Sequence, residues 1–138
     1  MWWTYALLSA FFASLTAIFA KQGVAHINSN VATGIRTIVI LVLVWAIVWA
    51  RGEGKGLGSL PKQDVFFLIL SGVATGLSWL FYFKALQVGN VSQVAPIDKL
   101  SVALTMVLAV IFLGEAITVK TAIGAGLIIA GTVVMIGQ

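Results

Sequence analysis

Five apolar runs, each long enough to cross a bilayer, constrain this chain more than any other feature. A hydrocarbon core of about 30 Å takes about 20 helical residues, within a range of about 17–25. Runs of that length occupy Trp3–Ala20, Val31–Ala50, Val65–Phe83, Val91–Leu113 and Thr118–Ile136. They are continuous rather than alternating, which excludes the dyad pattern of a membrane barrel. In lipid a backbone must satisfy its own polar groups, and a helix does so within one segment. The expected fold is therefore an all-α membrane protein of five transmembrane helices, with residues 1–138 as a single domain.

The composition agrees. Of 138 residues, 61% are hydrophobic and only 9% are charged, too few charges to cover a water-soluble domain. The net charge is +4, but the basic residues stand singly, so there is no footprint for nucleic acid. There is no cysteine and one histidine, which removes thiol chemistry and any cysteine- or histidine-rich metal site. The acids are Glu53, Asp64, Asp98 and Glu115. They form no paired-carboxylate constellation, and no serine–histidine constellation is available, so neither an enzyme nor a cofactor is expected. The start, Met1-Trp-Trp-Thr-Tyr5, lacks the basic stretch of a signal peptide. It is expected to be a retained first helix, with Trp2, Trp3 and Tyr5 in an interfacial aromatic belt.

Trp45 and Trp49 set the exit of the second helix at the same membrane face as Trp2 and Trp3. The stretch Arg51–Ser59 reads as a flexible loop, and Ser59 with Pro61 supplies a start signal for the third helix. The face holding the N-terminus carries Arg51, Lys55, Lys62 and Lys120. The opposite face carries Lys21 and Lys84, joined by Arg36 and Lys99 if those snorkel outward. A count of four against two, or four against four, biases orientation weakly and would let the chain insert both ways round. Helices in lipid associate through close packing of small residues. Such stripes run through Ala6, Ala10 and Ser14, through Gly72 and Gly76, and through Ala122, Gly126 and Ala130. Packing within one bundle is the plain account of them; a dimer seam on the fifth helix is the alternative.

The fourth run carries Asp98 and Lys99 two residues after Pro96. Each charge near a helix centre costs about 2.5–3.5 kcal/mol on an insertion scale. Adjacent helical residues point about 100° apart, so the two are not expected to meet face to face. By depth, Arg36 enters from the same membrane face, and Ser78 and Tyr82 approach it from the third helix. Ser71, Thr75, Ser78 and Tyr82 follow one helical face, as do Asp98, Ser101 and Thr105. The expectation is a water-accessible cavity binding a small molecule through Arg36, Ser78, Trp79, Tyr82, Asp98, Lys99, Ser101 and Thr105. Arg36 and Lys99 against Asp98 favour an anionic or zwitterionic substrate. Pro96, which frees the Ser92 carbonyl, would act as the gate. The alternative is an Arg36–Asp98 pair that fixes helix register while Lys99 snorkels. A 62-residue shift also sets Leu8 on Leu70, Ser9 on Ser71, Asn28 on Asn90 and Arg36 on Asp98, a hint of duplication.

Three motifs tie these features together: Phe83-Lys-Ala-Leu-Gln-Val-Gly-Asn-Val-Ser-Gln-Val-Ala-Pro96, Phe112-Leu-Gly-Glu115 and Gly124-x-Gly-Leu-Ile-Ile-Ala-Gly131. With Lys21 ending the first helix and Arg36 early in the second, the chain resembles the EamA domain of the drug/metabolite transporter superfamily over its whole length. That resemblance implies a small-metabolite transporter, an exporter in the inner membrane, and one half of an inverted-repeat fold. Family members carry two five-helix domains and this chain has one. A dimer is therefore expected, as an antiparallel homodimer or with a related five-helix subunit. The Asp98-Lys99 pair is outside the family pattern, so the substrate does not carry over. Glu115 closes the Leu-Gly-Glu motif at the opposite membrane face, where it would cap or tether the turn into the fifth helix. A non-transporting membrane subunit and a lipid-linked-sugar flippase component are the rival functions.

Overall fold

Helix α1, Trp2–Gly23, starts with the interfacial tryptophans and runs three residues past the expected end. In the computed structural model, which describes residues 1–136, four further spans follow. Helix α2 is Ser29–Ala50 and α3 is Lys62–Val88. The fourth span, Val91–Leu113, is divided into α4 (Val91–Asp98), α5 (Leu100–Leu108) and a π-helical turn (Ala109–Leu113). Helix α6 is Val119–Ile136. No strand occurs among the described residues, so the all-α, five-span expectation holds.

The caps explain several boundaries. The Asn28 side chain accepts from the Asn30 N–H at 2.8 Å, and its carbonyl accepts from Ala32 at 3.0 Å, which satisfies donors at the start of α2. Asn90 stands in the same place before α4, its carbonyl accepting from Gln93 and Val94. The two helices thus start at Ser29 and Val91, 62 residues apart, in keeping with the repeat seen in the sequence.

The loop after α2 departs from expectation. Gly52 takes the left-handed conformation (φ 68°), and Glu53–Ser59 then coils into a 3₁₀ segment rather than a flexible loop. Glycine alone adopts that φ without steric cost. The Arg51 Nε–Glu53 pair at 2.8 Å clamps the turn, and Ser59 Oγ donates to the Gly56 carbonyl instead of capping α3. Pro61 does mark the start of α3, its carbonyl accepting from Val65 at 3.2 Å.

The chain forms two compact units, residues 18–88 and residues 1–17 with the chain from Gly89 onward. In the first unit α2 packs on α3. Its core lies where α1 ends, α2 begins and α3 ends: Ala20, Val24, Ser29, Ala32, Thr33, Phe83 and Leu86 are buried. Lys21 Nζ donates to the Leu86 carbonyl at 2.6 Å, and Gln87 Nε2 donates to the carbonyls of Val24 and Ile27 at 3.2 and 2.9 Å. The last carbonyls of a helix lack intrahelical donors. Here long side chains of one segment supply them for the other.

In the second unit α6 packs against α4 and α5. Thr132 is its buried polar residue, donating to its own helix at Ile128 (2.8 Å) and to the Pro96 carbonyl (3.3 Å). Ile128, Thr132 and Met135 lie on the side of α6 that faces the fourth span. The Ala122–Gly126–Ala130 stripe is displaced from it by two residues, about 200° around the helix. A Cβ on Gly126, or on Gly72 and Gly76 of the other unit, would meet no atom of its unit within 4 Å. The Gly72–Gly76 and Ala122–Gly126–Ala130 stripes therefore have open space at their glycines within their own units. Large apolar side chains such as Phe81 and Phe112 point outward, as they do where lipid is the solvent.

Candidate functional site

The first charged element lies in the α2–α3 unit. Arg36 sits at the eighth position of α2, inside the apolar span. Its guanidinium carbon lies 4.4 Å from the Trp79 ring centre and 5.1 Å from that of Phe83. Trp79 and Phe83 are four residues apart on α3, so one helical face presents both rings. Phe83 is 2% exposed and is further braced by an edge contact to Tyr82 at 6.3 Å. Each cation–π contact contributes about 0.5–2 kcal/mol, against about 2.5–3.5 kcal/mol for an arginine near a helix centre. The rings offset much of that cost but satisfy no N–H with an oxygen.

The neighbouring threonine hydroxyls do not close the gap. Thr33 and Thr37 donate to the Ser29 and Thr33 carbonyls of their own helix, and Thr75 donates to Ser71. Ser78 is exposed. Of the expected residues in this unit, the fold thus brings Arg36, Trp79 and Tyr82 together, whereas Ser78 remains exposed. Phe83 is the residue that sequence reasoning missed, although its spacing of four from Trp79 marks it.

The second element lies in the fourth span. Pro96 cannot donate to Ser92. The Lys99 N–H bonds back to the Pro96 carbonyl and the Val102 N–H to the Lys99 carbonyl, each at 3.0 Å. Both are three-residue bonds, tighter than the α-helical ladder, and α4 ends at Asp98 before α5 resumes at Leu100. At this interruption Lys99 Nζ reaches Asp98 Oδ2 at 3.5 Å. The expectation that the two charges would not meet is corrected: an unbroken helix separates neighbours by angle, but a tightened turn and a four-carbon side chain close the distance. Both side chains remain partly exposed, 57% for Lys99 and 38% for Asp98.

Beside this break a groove of about 500 Å³ runs between the fourth span and α6, lined by Pro96, Lys99, Val102, Ile128, Thr132 and Met135 among others. Lys99 is its charged residue. Ser101 is exposed beyond the break. Thr105 lines a different cavity of about 230 Å³ with Met106, Ala109, Glu115 and Thr121, so it groups with the turn into α6 rather than with Asp98. In that turn Gly114 is left-handed (φ 66°), and the Glu115 N–H bonds to the Ala109 carbonyl at 3.3 Å. The cap of α6 is Thr118, whose Oγ accepts from the Thr121 N–H at 3.2 Å. Glu115 therefore tethers the turn through its backbone, while the capping expected of it falls to Thr118. Among the described residues no cluster of three metal-ligating side chains occurs.

An uncharacterized transporter in the cobO 3′ region of Sinorhizobium sp. is 49% identical over 134 residues, covering 97% of this chain and 95% of that one. The uncharacterized protein MJ1333.1 of Methanocaldococcus jannaschii is 33% identical over 129 residues, covering 94% and 91%. No solved structure matches. The model of the EamA-like transporter family matches residues 1–137, and the chain belongs to that family of membrane transporters.

Proposed function

We propose that the chain is a small-metabolite exporter of the inner cell membrane, working by alternating access as a dimer. The observation that carries this reading is the interrupted fourth span. An ion pair, Asp98–Lys99, sits at a helix break just after a proline, inside a segment otherwise apolar enough to cross a bilayer. Ionisable groups at such depth are costly and mark substrate pathways, and transporter sites form where spanning helices are discontinuous. We assign substrate contact to Arg36, Trp79 and Tyr82 in one unit and to Asp98 and Lys99 in the other, with Pro96 as the hinge. The partial exposure of Asp98 and Lys99 favours this over a sealed structural pair in a non-transporting subunit.

The dimer reading has three supports. The relatives are covered to 95% and 91% of their length, which leaves no room in them for a second five-helix domain. The Lys and Arg count is nearly even between faces, which permits insertion in both orientations. The Ala122–Gly126–Ala130 stripe faces away from the packing side of α6, where a second copy would pack closely. We favour an antiparallel homodimer, with a related five-helix subunit as the alternative partner.

One observation favours a second reading, a flippase of lipid-linked substrates: the groove beside Lys99 is lined mostly by apolar side chains. Flux into proteoliposomes tests the two together. A panel of amino acids and small amphiphiles is offered from outside, and transbilayer movement of a labelled lipid is followed in parallel. Saturable uptake of a soluble compound supports the exporter. Lipid movement without soluble flux supports the flippase, and neither supports the non-transporting subunit.

A further inference from the structure

We propose that the Arg36 guanidinium is the site that takes the oxyanion, a carboxylate group, of the transported molecule. This rests on the transport reading above and names the chemistry of its substrate.

The guanidinium is held but not satisfied. Trp79 and Phe83 fix its position at 4.4 and 5.1 Å but offer no oxygen lone pair, and the Tyr82 hydroxyl that interacts with it electrostatically is one oxygen for the five N–H donors of an arginine. The acids of its unit are Glu53 and Asp64. Glu53 is engaged by Arg51 at 2.8 Å. Asp64 lies in the first turn of α3, 15 residues before Trp79, or about 22 Å along the helix axis at 1.5 Å per residue. No carboxylate of the unit therefore reaches Arg36. The nearby threonine hydroxyls are spent on their own helix.

The missing counter-charge must have oxygens and must arrive from outside the unit. A planar fork of donors pre-positioned on two rings matches the paired oxygens of a carboxylate, in two parallel charge-assisted bonds. A neutral or cationic ligand would leave the fork unpaired. The half-buried setting of Arg36 leaves it accessible. A lipid phosphate shares the same oxyanion chemistry, and the experiment separates the two.

The chain has two arginines, Arg36 and Arg51, so arginine modification reads the site directly. The full-length protein in phosphatidylcholine vesicles is labelled with phenylglyoxal, and adducts at the two positions are quantified by mass spectrometry. Phenylacetate, as probe, should slow labelling of Arg36 about tenfold at ten times its half-protecting concentration, since the unoccupied fraction falls by that factor. Arg51 should be unaffected, and phenylacetamide should protect neither. Equal protection by acid and amide, or none at Arg36 across a series of carboxylates, overturns the assignment. So does protection by added phosphatidylglycerol with no further effect of phenylacetate, which gives the guanidinium to lipid headgroups. Protection of Arg36 without flux would leave this assignment standing and sink the transport reading. Flux of neutral compounds with Arg36 unprotected would do the reverse.

Discussion

Lys21 Nζ donates to the carbonyl of Leu86 across 65 residues of sequence at 2.6 Å. The end of the first helix is thereby fastened to the end of the third, and Gln87 returns the bond to Val24 and Ile27. Lys21 thus serves as more than an interfacial anchor.

Replacing Lys21 by Met keeps the aliphatic stem and removes the donor. A hydrogen bond from a charged group contributes about 1.5–3 kcal/mol, and Lys21→Met should lower stability by that order. Gln87→Leu should cost about 1–3 kcal/mol by orphaning two carbonyls. Because both side chains fasten the same corner, the double variant should lose less than the sum. Thermal unfolding in detergent measures all three, and additive losses would show two independent contacts.

Trp79→Leu removes the nearer ring from Arg36. Stability should fall by about 0.5–2 kcal/mol through the lost cation–π contact, and Trp79→Phe should lose less because a smaller ring still faces the cation. Equal melting temperatures for Leu and Phe variants would mean that the ring contributes bulk alone.

Much of this was legible from the residues, for identifiable reasons. The five spans follow from continuous apolar runs, a signal that needs no tertiary information, and the helices overrun them by a few residues at polar ends such as Lys62–Asp64 and Lys84–Val88. Arg36, Trp79 and Tyr82 are singled out by the sequence because charge and aromatic polarity stand out in an apolar chain. Phe83 was missed because its ring is chemically no different from lipid-facing phenylalanines; only its register with Trp79 sets it apart. The Asp98–Lys99 contact was missed because ideal helix angles were assumed where Pro96 had already removed a bond. The coil at Glu53–Ser59 was hidden by its glycines, whose freedom gives no local preference. The Thr132 bond to the Pro96 carbonyl joins segments 36 residues apart, which no periodicity reports.

Pro96→Ala restores a donor to the Ser92 carbonyl and relieves a residue about 3 kcal/mol less favourable than alanine in a helix interior. The variant should be at least as stable as the parent, and its transport rate should fall as the turn at Lys99 straightens. Comparing melting temperature with initial flux separates the two effects. Unchanged flux would remove Pro96 from the gating role.

Topology supplies an independent check on the assembly. With four basic residues on one face and two to four on the other, a C-terminal reporter should appear on both sides of the membrane. Added lysines at either face should fix one orientation. Two oppositely fixed variants should restore transport when expressed together and not when expressed singly. A reporter confined to one side, in protein that transports unaided, would exclude the antiparallel homodimer.

The most direct measurement of the account is flux through Asp98→Asn in proteoliposomes, normalised to folded protein. The carboxylate meets Lys99 at the break in the fourth span, so a site that handles substrate there must change when its charge is removed. The expected result is saturable flux in the parent and a loss of at least about tenfold in the variant, the scale of one functional ion pair, with the melting temperature little altered. Flux that survives Asp98→Asn undiminished in folded protein would contradict it.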